Sequence, residues 1–353
     1  MMENVESENV WQQEDLEFVA HSKTIPWNLL KGKSIFITGA TGLIGSFLTK
    51  LLVCRNRLFH DDIQIYALVR NLEKAKALIP QSGNVHLVHG DICGDYPLPS
   101  DLNFIVHAAS VTSSKMFVSK PVETIRTALF GTERLLQKAK SLTLDGFLYL
   151  SSLEVYGVPF DGTIQIPETY FGRIDPMQVR SSYSEGKRMA ECLCASFAAE
   201  YSVPVKVARL TQTFGAGVAY DDGRVFAQFA RSAIEGKDIV LRTKGETLRN
   251  YCYVADAVSA MLFILLKGKV GEAYNVANED TGISVVDMAE FVVKNFSQGK
   301  SRVVFDLAED AAQLGYNPVV KACLNVDKLK SLGWSAKFNL YQMYERMIGS
   351  MRK

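Results

Sequence analysis

The chain has 353 residues, of which 48% are hydrophobic and 22% charged, and its formal net charge is +1. That is an ordinary soluble globular composition with enough material for a large core, and nothing in it points to a nucleic-acid or membrane surface. No apolar run is long enough to span a bilayer, and the acidic, polar start from Met1 to Asn9 argues against a secretory signal.

Residues 1–30 read as an appended arm. A weak helix from Asn9 to His21 precedes Ile25-Pro26-Trp27, and Trp27, Leu29 and Leu30 are expected to dock on the main body. From Lys31 the pattern changes. Ser34-Ile-Phe-Ile-Thr-Gly-Ala-Thr-Gly-Leu-Ile-Gly45 is an apolar strand (34–38), a glycine turn and the start of an apolar helix (43–56) with Leu43, Ile44, Phe47, Leu48, Leu51 and Leu52. Strand, turn and helix together make a dinucleotide site of a glycine pattern that is weak alone. Gly39 suits the tight turn, Gly42 lets the backbone approach a pyrophosphate, and Gly45 lets the helix pack on the strand. Beyond Thr41, the helix start at Leu43 and Ile44 offers free N–H groups to the phosphates. The spacing is G-x-x-G-x-x-G, not the commoner G-x-G-x-x-G.

Further strands are expected at 63–69, 85–89, 103–107, 147–151 and 204–210, with helices at 71–79, 119–141 and 183–201 between most of them. Such alternation argues a parallel sheet covered by helices on both faces. After about residue 211 the pattern loosens. Helices at 224–235, 254–267, 284–297 and 338–349 mix with strands near 238–242, 273–277 and 301–305. The expected organisation is an arm (1–30), a dinucleotide-binding domain (31–211) and a smaller C-terminal α/β lobe (212–353) over the carboxyl ends of the strands, with some interleaving of the chain. Six cysteines, Cys54, Cys93, Cys192, Cys194, Cys252 and Cys323, show no metal-ligand spacing and read as reduced, buried thiols of a cytosolic protein.

Tyr183-Ser-Glu-Gly-Lys187 places a phenol and an ammonium on one helix face, where the cation is expected to lower the phenol pKa and prepare it for proton transfer with a hydroxyl. Leu148-Tyr-Leu-Ser-Ser-Leu-Glu-Val-Tyr-Gly157 ends a buried strand in hydroxyls, and Ser152 is placed to hydrogen-bond the oxygen that Tyr183 handles. With the glycine turn, Ser152, Tyr183 and Lys187 in this order, the chain from about Gly32 to Trp334 resembles the extended short-chain dehydrogenase/reductase family of nucleotide-sugar epimerases, dehydratases and decarboxylases. The resemblance implies an α/β fold with a Rossmann-type doubly wound parallel sheet. It implies adenine contacts from His89-Gly-Asp91-Ile92 and a nicotinamide-ribose wall from His107-Ala108-Ala109-Ser110, with His107 itself read as a satisfied core residue. It also implies a role for Lys187 on the nicotinamide ribose, a substrate-facing segment around Gln212, and a diphosphate grip by Arg249.

Within that family, Glu154, two positions after Ser152, resembles the glutamate of dehydratases and UDP-glucuronate decarboxylases, and equally reads as a structural carboxylate. Leu153 stands where 4,6-dehydratases carry an acidic aspartate. Val179-Arg-Ser-Ser-Tyr-Ser-Glu-Gly-Lys-Arg-Met-Ala-Glu191 looks closest to UDP-glucuronate decarboxylase, whereas Gln212 and Thr127 replace asparagines of the family. The expected activity is oxidation of a sugar at C4 to a 4-keto intermediate, followed by decarboxylation or dehydration. The alternatives are a 4-epimerase, an NADPH-dependent 4-keto-sugar reductase and, more distantly, a non-catalytic dinucleotide sensor. The cofactor is NAD or NADP; Arg70, where NAD-preferring members carry a carboxylate, leans to NADP and could equally stack on the adenine of bound NAD. The resemblance further implies a role in polysaccharide precursor synthesis and a cytosolic homodimer joined through 119–141 and 183–201; Leu135, Leu136, Met189, Leu193 and Phe197 suit the contact, and core packing alone would explain them as well.

Overall fold

The structure, a computed structural model, describes residues 9–307 and 319–352; the start of the arm (1–8) and a stretch of the C-terminal lobe (308–318) lie outside them. In chain order the elements are α1 (Val10–Ala20), β1 (Ser34–Thr38), α2 (Leu43–Phe59), β2 (Gln64–Val69), α3 (Leu72–Leu78), β3 (Val85–His89), β4 (Phe104–His107), α4 (Ser114–Ser119), α5 (Pro121–Ala139), β5 (Gly146–Ser152), β6 (Gln165–Ile166), α6 (Ser181–Tyr201) and β7 (Val205–Leu210). They continue with β8 (Gln212–Phe214), α7 (Val225–Glu235), β9 (Ile239–Leu241), β10 (Leu248–Tyr253), α8 (Val254–Lys267), β11 (Ala273–Val276), β12 (Asn278–Ser284), α9 (Val285–Phe296), β13 (Val303–Phe305), β14 (Cys323–Leu324), α10 (Asp327–Lys330) and α11 (Leu340–Met351).

The main sheet runs β11-β7-β5-β4-β1-β2-β3, with every neighbouring pair parallel. The order reverses between β1 and β4, the crevice where doubly wound sheets bind ligands. Alternate residues of each strand supply two apolar layers. Ile35, Ile37, Leu148 and Leu150 join a core with α2 and α8, while Phe36, Phe147 and Tyr149 join Leu135, Leu136, Ala190 and Phe197 of α5 and α6. No helix among the described residues is long and apolar enough to cross a membrane.

Several sequence expectations are corrected here. The helix expected over 119–141 is α5, which Pro121 opens at its first position, and a separate short helix, α4, which was not expected, precedes it. Leu135, Leu136 and Phe197 are buried in the subunit's own core and Leu193 packs against it, so of the five residues expected at a dimer contact Met189 alone is exposed. The chain interleaves the two parts, returning to the main sheet after residue 211: α8 lies against it and β11 forms its edge beside β7. The remaining C-terminal strands form small sheets, β12-β10-β8, β13-β9 and β14-β6.

The arm is docked. Trp27 and Leu30 are buried, whereas Leu29 is exposed. In α1, Leu16, Val19 and Ala20 enter the core beside α2 and α8. Asp15, fully buried, accepts hydrogen bonds from the Tyr253 hydroxyl and from Arg346 Nε at 2.7 Å. Burial pushes its pKa from 3.8 up to about 6 against the opposing pull of Tyr253 and Arg346. Burial likewise lifts Asp256 to about 7, although its carboxylate accepts the Lys337 and Phe338 amides.

Folding therefore favours the protonated form of both groups. Their contribution to stability is fully present below about pH 4 and is lost as pH rises through about 6 and about 7. Asp15→Asn is expected to flatten the stability curve between pH 4 and 7 by on the order of 2–3 kcal/mol. Thermal or urea unfolding across that range checks this, and parallel curves for the two proteins would refute it.

Candidate active site

The glycine turn closes through contacts that leave no room for side chains. Gly39 has φ +69°, and a Cβ there would lie 2.7 Å from the Ala108 carbonyl carbon; a Cβ at Gly45 would lie 2.2 Å from the Gly39 carbonyl oxygen. The first turn of α2, after Gly42, has neither a side-chain cap nor an acidic residue, so its amides and dipole face the crevice uncompensated. Thr41, Leu43 and Ile44 are partly accessible there. This cradle of backbone and small residues fits a dinucleotide pyrophosphate.

The neighbouring strand end is held by a chain of hydrogen bonds. Thr132 donates its hydroxyl proton to the Ala128 carbonyl (2.6 Å), so it accepts from His107 Nε2 (3.1 Å). His107 Nδ1 then accepts from the Thr38 hydroxyl (2.7 Å), whose oxygen accepts the Ala109 amide (3.0 Å). Burial, aided by the Lys187 charge, depresses the His107 pKa to about 3. His107 is thus a neutral spacer that fixes Ala108 and Ala109 over the crevice. Arg70 and Asp91 face one another at 3.7 Å on the surface beyond β2 and β3, while Ile92 is buried against Gly131 of α5.

Ser152 ends β5 and caps the short 3-10 turn Leu153–Tyr156, accepting the Glu154 amide at 3.2 Å. Its own proton is left to donate. Ser152 and Ser110 lie beside the Tyr183 hydroxyl, close enough that both act to lower its pKa. The Tyr183 ring stacks on Phe117 with centroids 4.2 Å apart. Lys187, buried, donates to the Leu150 carbonyl at 2.6 Å and lies 4.7 Å from the Tyr149 ring centre.

The electrostatics differ from the sequence expectation. Burial raises Tyr183 to about 12, the Glu154 charge adds to the rise, and Ser152, Arg180 and Ser110 oppose it. Burial also lowers Lys187 to about 8. Lys187 donates to a backbone carbonyl in this arrangement, with its Nζ 5.9 Å from the Tyr183 ring centre, and Arg180 also acts on the phenol. Arg180 forks onto Glu154, with Nη1–Oε2 at 3.2 Å and Nη2–Oε1 at 3.1 Å, and Ser184 donates to the same carboxylate at 3.2 Å.

Sequence reasoning did not single out Arg180 or Phe117. Arg180 stands three and four residues before Tyr183 and Ser184, a spacing that shares their helix face. Gln212 on β8 and Arg249 on β10 lie in the same small sheet, away from β5 in sequence. The Gln212 Oε1 is enclosed without a partner, and the Arg249 side chain, nearly buried, makes no hydrogen bond or ion pair among the described residues. A cavity of about 590 Å³ lies elsewhere, between α6 and β7, lined by Glu191, Cys192, Arg209 and Ala273; it contains none of Ser152, Tyr183 or Lys187.

Comparison with known proteins agrees with this geometry. The sequence pattern of the NAD dependent epimerase/dehydratase family matches residues 35–277. UDP-glucuronic acid decarboxylase 1 of Xenopus tropicalis is 30% identical over 322 residues, covering 91% of this chain and 72% of the relative. UDP-glucuronic acid decarboxylase 3 of Arabidopsis thaliana is 30% identical over 301 residues, covering 81% and 85%. The fold superposes on UDP-glucose 4-epimerase of Thermotoga maritima with a TM-score of 0.74 at 20% identity, covering 90% of this chain and 98% of the other. It superposes on the NAD complex of dTDP-glucose 4,6-dehydratase of Bacillus anthracis with a TM-score of 0.69 at 22% identity, covering 90% and 95%. The chain belongs to the NAD-dependent epimerase/dehydratase family and is an enzyme of it.

Gly45→Ala is expected to open the turn and weaken NAD binding at least about tenfold while the far-ultraviolet circular dichroism stays native. Equilibrium dialysis with NAD reads this directly. Unchanged affinity would show that the turn does not hold the dinucleotide.

Proposed function

We propose that this enzyme oxidises C4 of a nucleotide-linked sugar and decarboxylates UDP-glucuronate. The observation that carries the reading is the meeting of Ser152, Tyr183 and Glu154 at the carboxyl end of β5, in a chain whose curated relatives are named UDP-glucuronic acid decarboxylases. Bound nicotinamide dinucleotide would supply the acceptor for the C4 hydrogen and later return it. Gly39, Gly42, Gly45, Thr41, Leu43, Ile44, Ala108 and Ala109 would hold its phosphates and ribose, with Asp91 and Ile92 near the adenine.

Tyr183, as phenolate, takes the C4 hydroxyl proton, and Ser152 orients that oxygen by donating its free proton. Lys187 can leave the Leu150 carbonyl for the nicotinamide ribose and bring its charge to bear on the phenol. With C4 a ketone, the C5–C6 bond breaks, its electron pair passes to the C4 oxygen as an enolate, and carbon dioxide leaves. C5 then takes up a proton. Arg249 would grip the substrate diphosphate, and Gln212 would offer its unpartnered amide oxygen to a sugar or ribose hydroxyl. Leu153 packs against the core in the place of an acid, which disfavours elimination of water. A 4-epimerase remains the second reading, because the Ser152–Tyr183–Lys187 set serves it equally.

For the cofactor, we infer that NADP is accepted and preferred. No carboxylate ends β2; Arg70, 81% exposed, offers a 2′-phosphate a cation, partly neutralised by Asp91. Titration with NAD and NADP is expected to show tighter NADP binding, lost in Arg70→Ala. We place the protein in the cytosol on its free cysteines, and as a homodimer through the faces of α5 and α6 that carry Val122, Ile125 and Met189.

Mass spectrometry of UDP-glucuronate incubated with the enzyme and NAD or NADP is expected to show loss of carbon dioxide, and Tyr183→Phe to abolish it while NAD affinity is kept. Epimerised sugar of unchanged mass would move the assignment to the second reading. Near-normal turnover by Tyr183→Phe would overturn the mechanism.

A further inference from the structure

We propose that Arg180 receives the carboxylate of the uronate substrate, and that Glu154 occupies its fork in the resting site. The proposal rests on the decarboxylase reading. A guanidinium end matches a carboxylate in two parallel hydrogen bonds, and Arg180 makes that pair with Glu154 at 3.2 and 3.1 Å. The pair is about one-fifth exposed on both sides, 19% and 20%, so an entering ligand can reach it. It stands beside the reacting hydroxyls: Arg180 is one helical turn before Tyr183, and Glu154 is two residues beyond Ser152. The substrate carboxyl is joined to C5, next to the C4 oxygen that Ser152 and Tyr183 would hold, which brings it to the same corner.

Three features allow the exchange. Glu154 sits on a short 3-10 turn and keeps the Ser184 hydroxyl at 3.2 Å as a second partner, so displacement does not strand it. Arg180 Nε is enclosed and makes no hydrogen bond, because the end-on pair uses Nη1 and Nη2 alone. Turning the guanidinium to meet a second carboxylate side-on would give that donor a partner. Phe117, stacked on Tyr183 and with its ring centre 5.4 Å from the Arg180 guanidinium, provides a flat apolar support for the turn. A neutral hexose carries nothing to displace Glu154 and would find the fork closed. Selection for a uronate thus comes from what the competitor lacks.

The test is binding of UDP-glucuronate and UDP-glucose to the Tyr183→Phe protein, expected to fold and not to turn over, with and without Arg180→Gln or Arg180→Lys. Calorimetry is expected to show UDP-glucuronate preferred. Arg180→Gln should weaken it by roughly ten- to a hundredfold and leave UDP-glucose within about twofold, and Arg180→Lys should recover part of the loss. UDP-glucose binding doubles as the control for folding. Equal loss of both ligands would show that Arg180 only braces the site, and a preference that survives Arg180→Gln would overturn the assignment alone. If the Tyr183→Phe protein binds both ligands alike, the uronate reading falls and this assignment with it.

Discussion

One peptide, at Gly39, sets the distances in this site. Its carbonyl oxygen would touch any side chain at Gly45, and its own Cα faces the Ala108 peptide with no room for a Cβ. Two glycines therefore let three elements, β1, β4 and α2, converge within a few ångströms. The helix start is brought to the crevice between β1 and β4 with its amides free, and Ala108 and Ala109 form the opposite wall. Ser152 follows one strand further on, since β5 pairs with β4 in parallel register. A larger residue at either glycine would push α2 outward and misplace the wall.

Charge at the centre of the site is governed by burial rather than by any one partner. Tyr183 and Lys187 are both enclosed, so each resists its charged form, and the sequence spacing that puts them on one helix face does not by itself join them. Neutral His107 matters here. A second cation behind Lys187 would depress the ammonium further, and the closed Thr38–His107–Thr132 chain keeps the imidazole uncharged. Glu154 and Arg180 act on the phenol with opposite signs, so while they are paired each opposes the other. Any ligand that parts them changes the field at Tyr183 directly.

The first half of the fold was legible because strands buried on both faces write themselves as short apolar runs. Ile35 to Ile37 and Phe104 to Val106 need no partner information to be recognised. The glycine turn and Ser152 were legible for a related reason, each standing at the end of such a run, whereas Tyr183 and Lys187 showed as a four-residue spacing on one helix face. The Glu154–Arg180 pair was not, because the two stand 26 positions apart in the chain and nothing local announces the contact. Nor does periodicity say what an apolar helix face packs on. Leu135, Leu136 and Phe197 looked fit for a partner subunit and instead fill the subunit's own core. The return of α8 and β11 to the main sheet is likewise a matter of topology, decided by β7 offering an open edge.

The arm shows how an appended helix can join the two halves of such an enzyme. Gln12 accepts from Lys50 of α2 at 2.7 Å and donates to the Ala216 carbonyl at 3.5 Å, so one buried side chain ties the helix that starts at the glycine turn to the segment entering the C-terminal lobe. Arg55 of α2 donates to the Ala20 carbonyl at 2.6 Å, and Asp15 reaches Tyr253 of β10 and Arg346 of α11. Tyr253 lies on the same strand as Arg249, β10. Displacing α1 would therefore loosen α2 and the strand that carries Arg249 together. The glycine-turn side and the Arg249 side of the crevice are thus tied to one another through a single helix, α1.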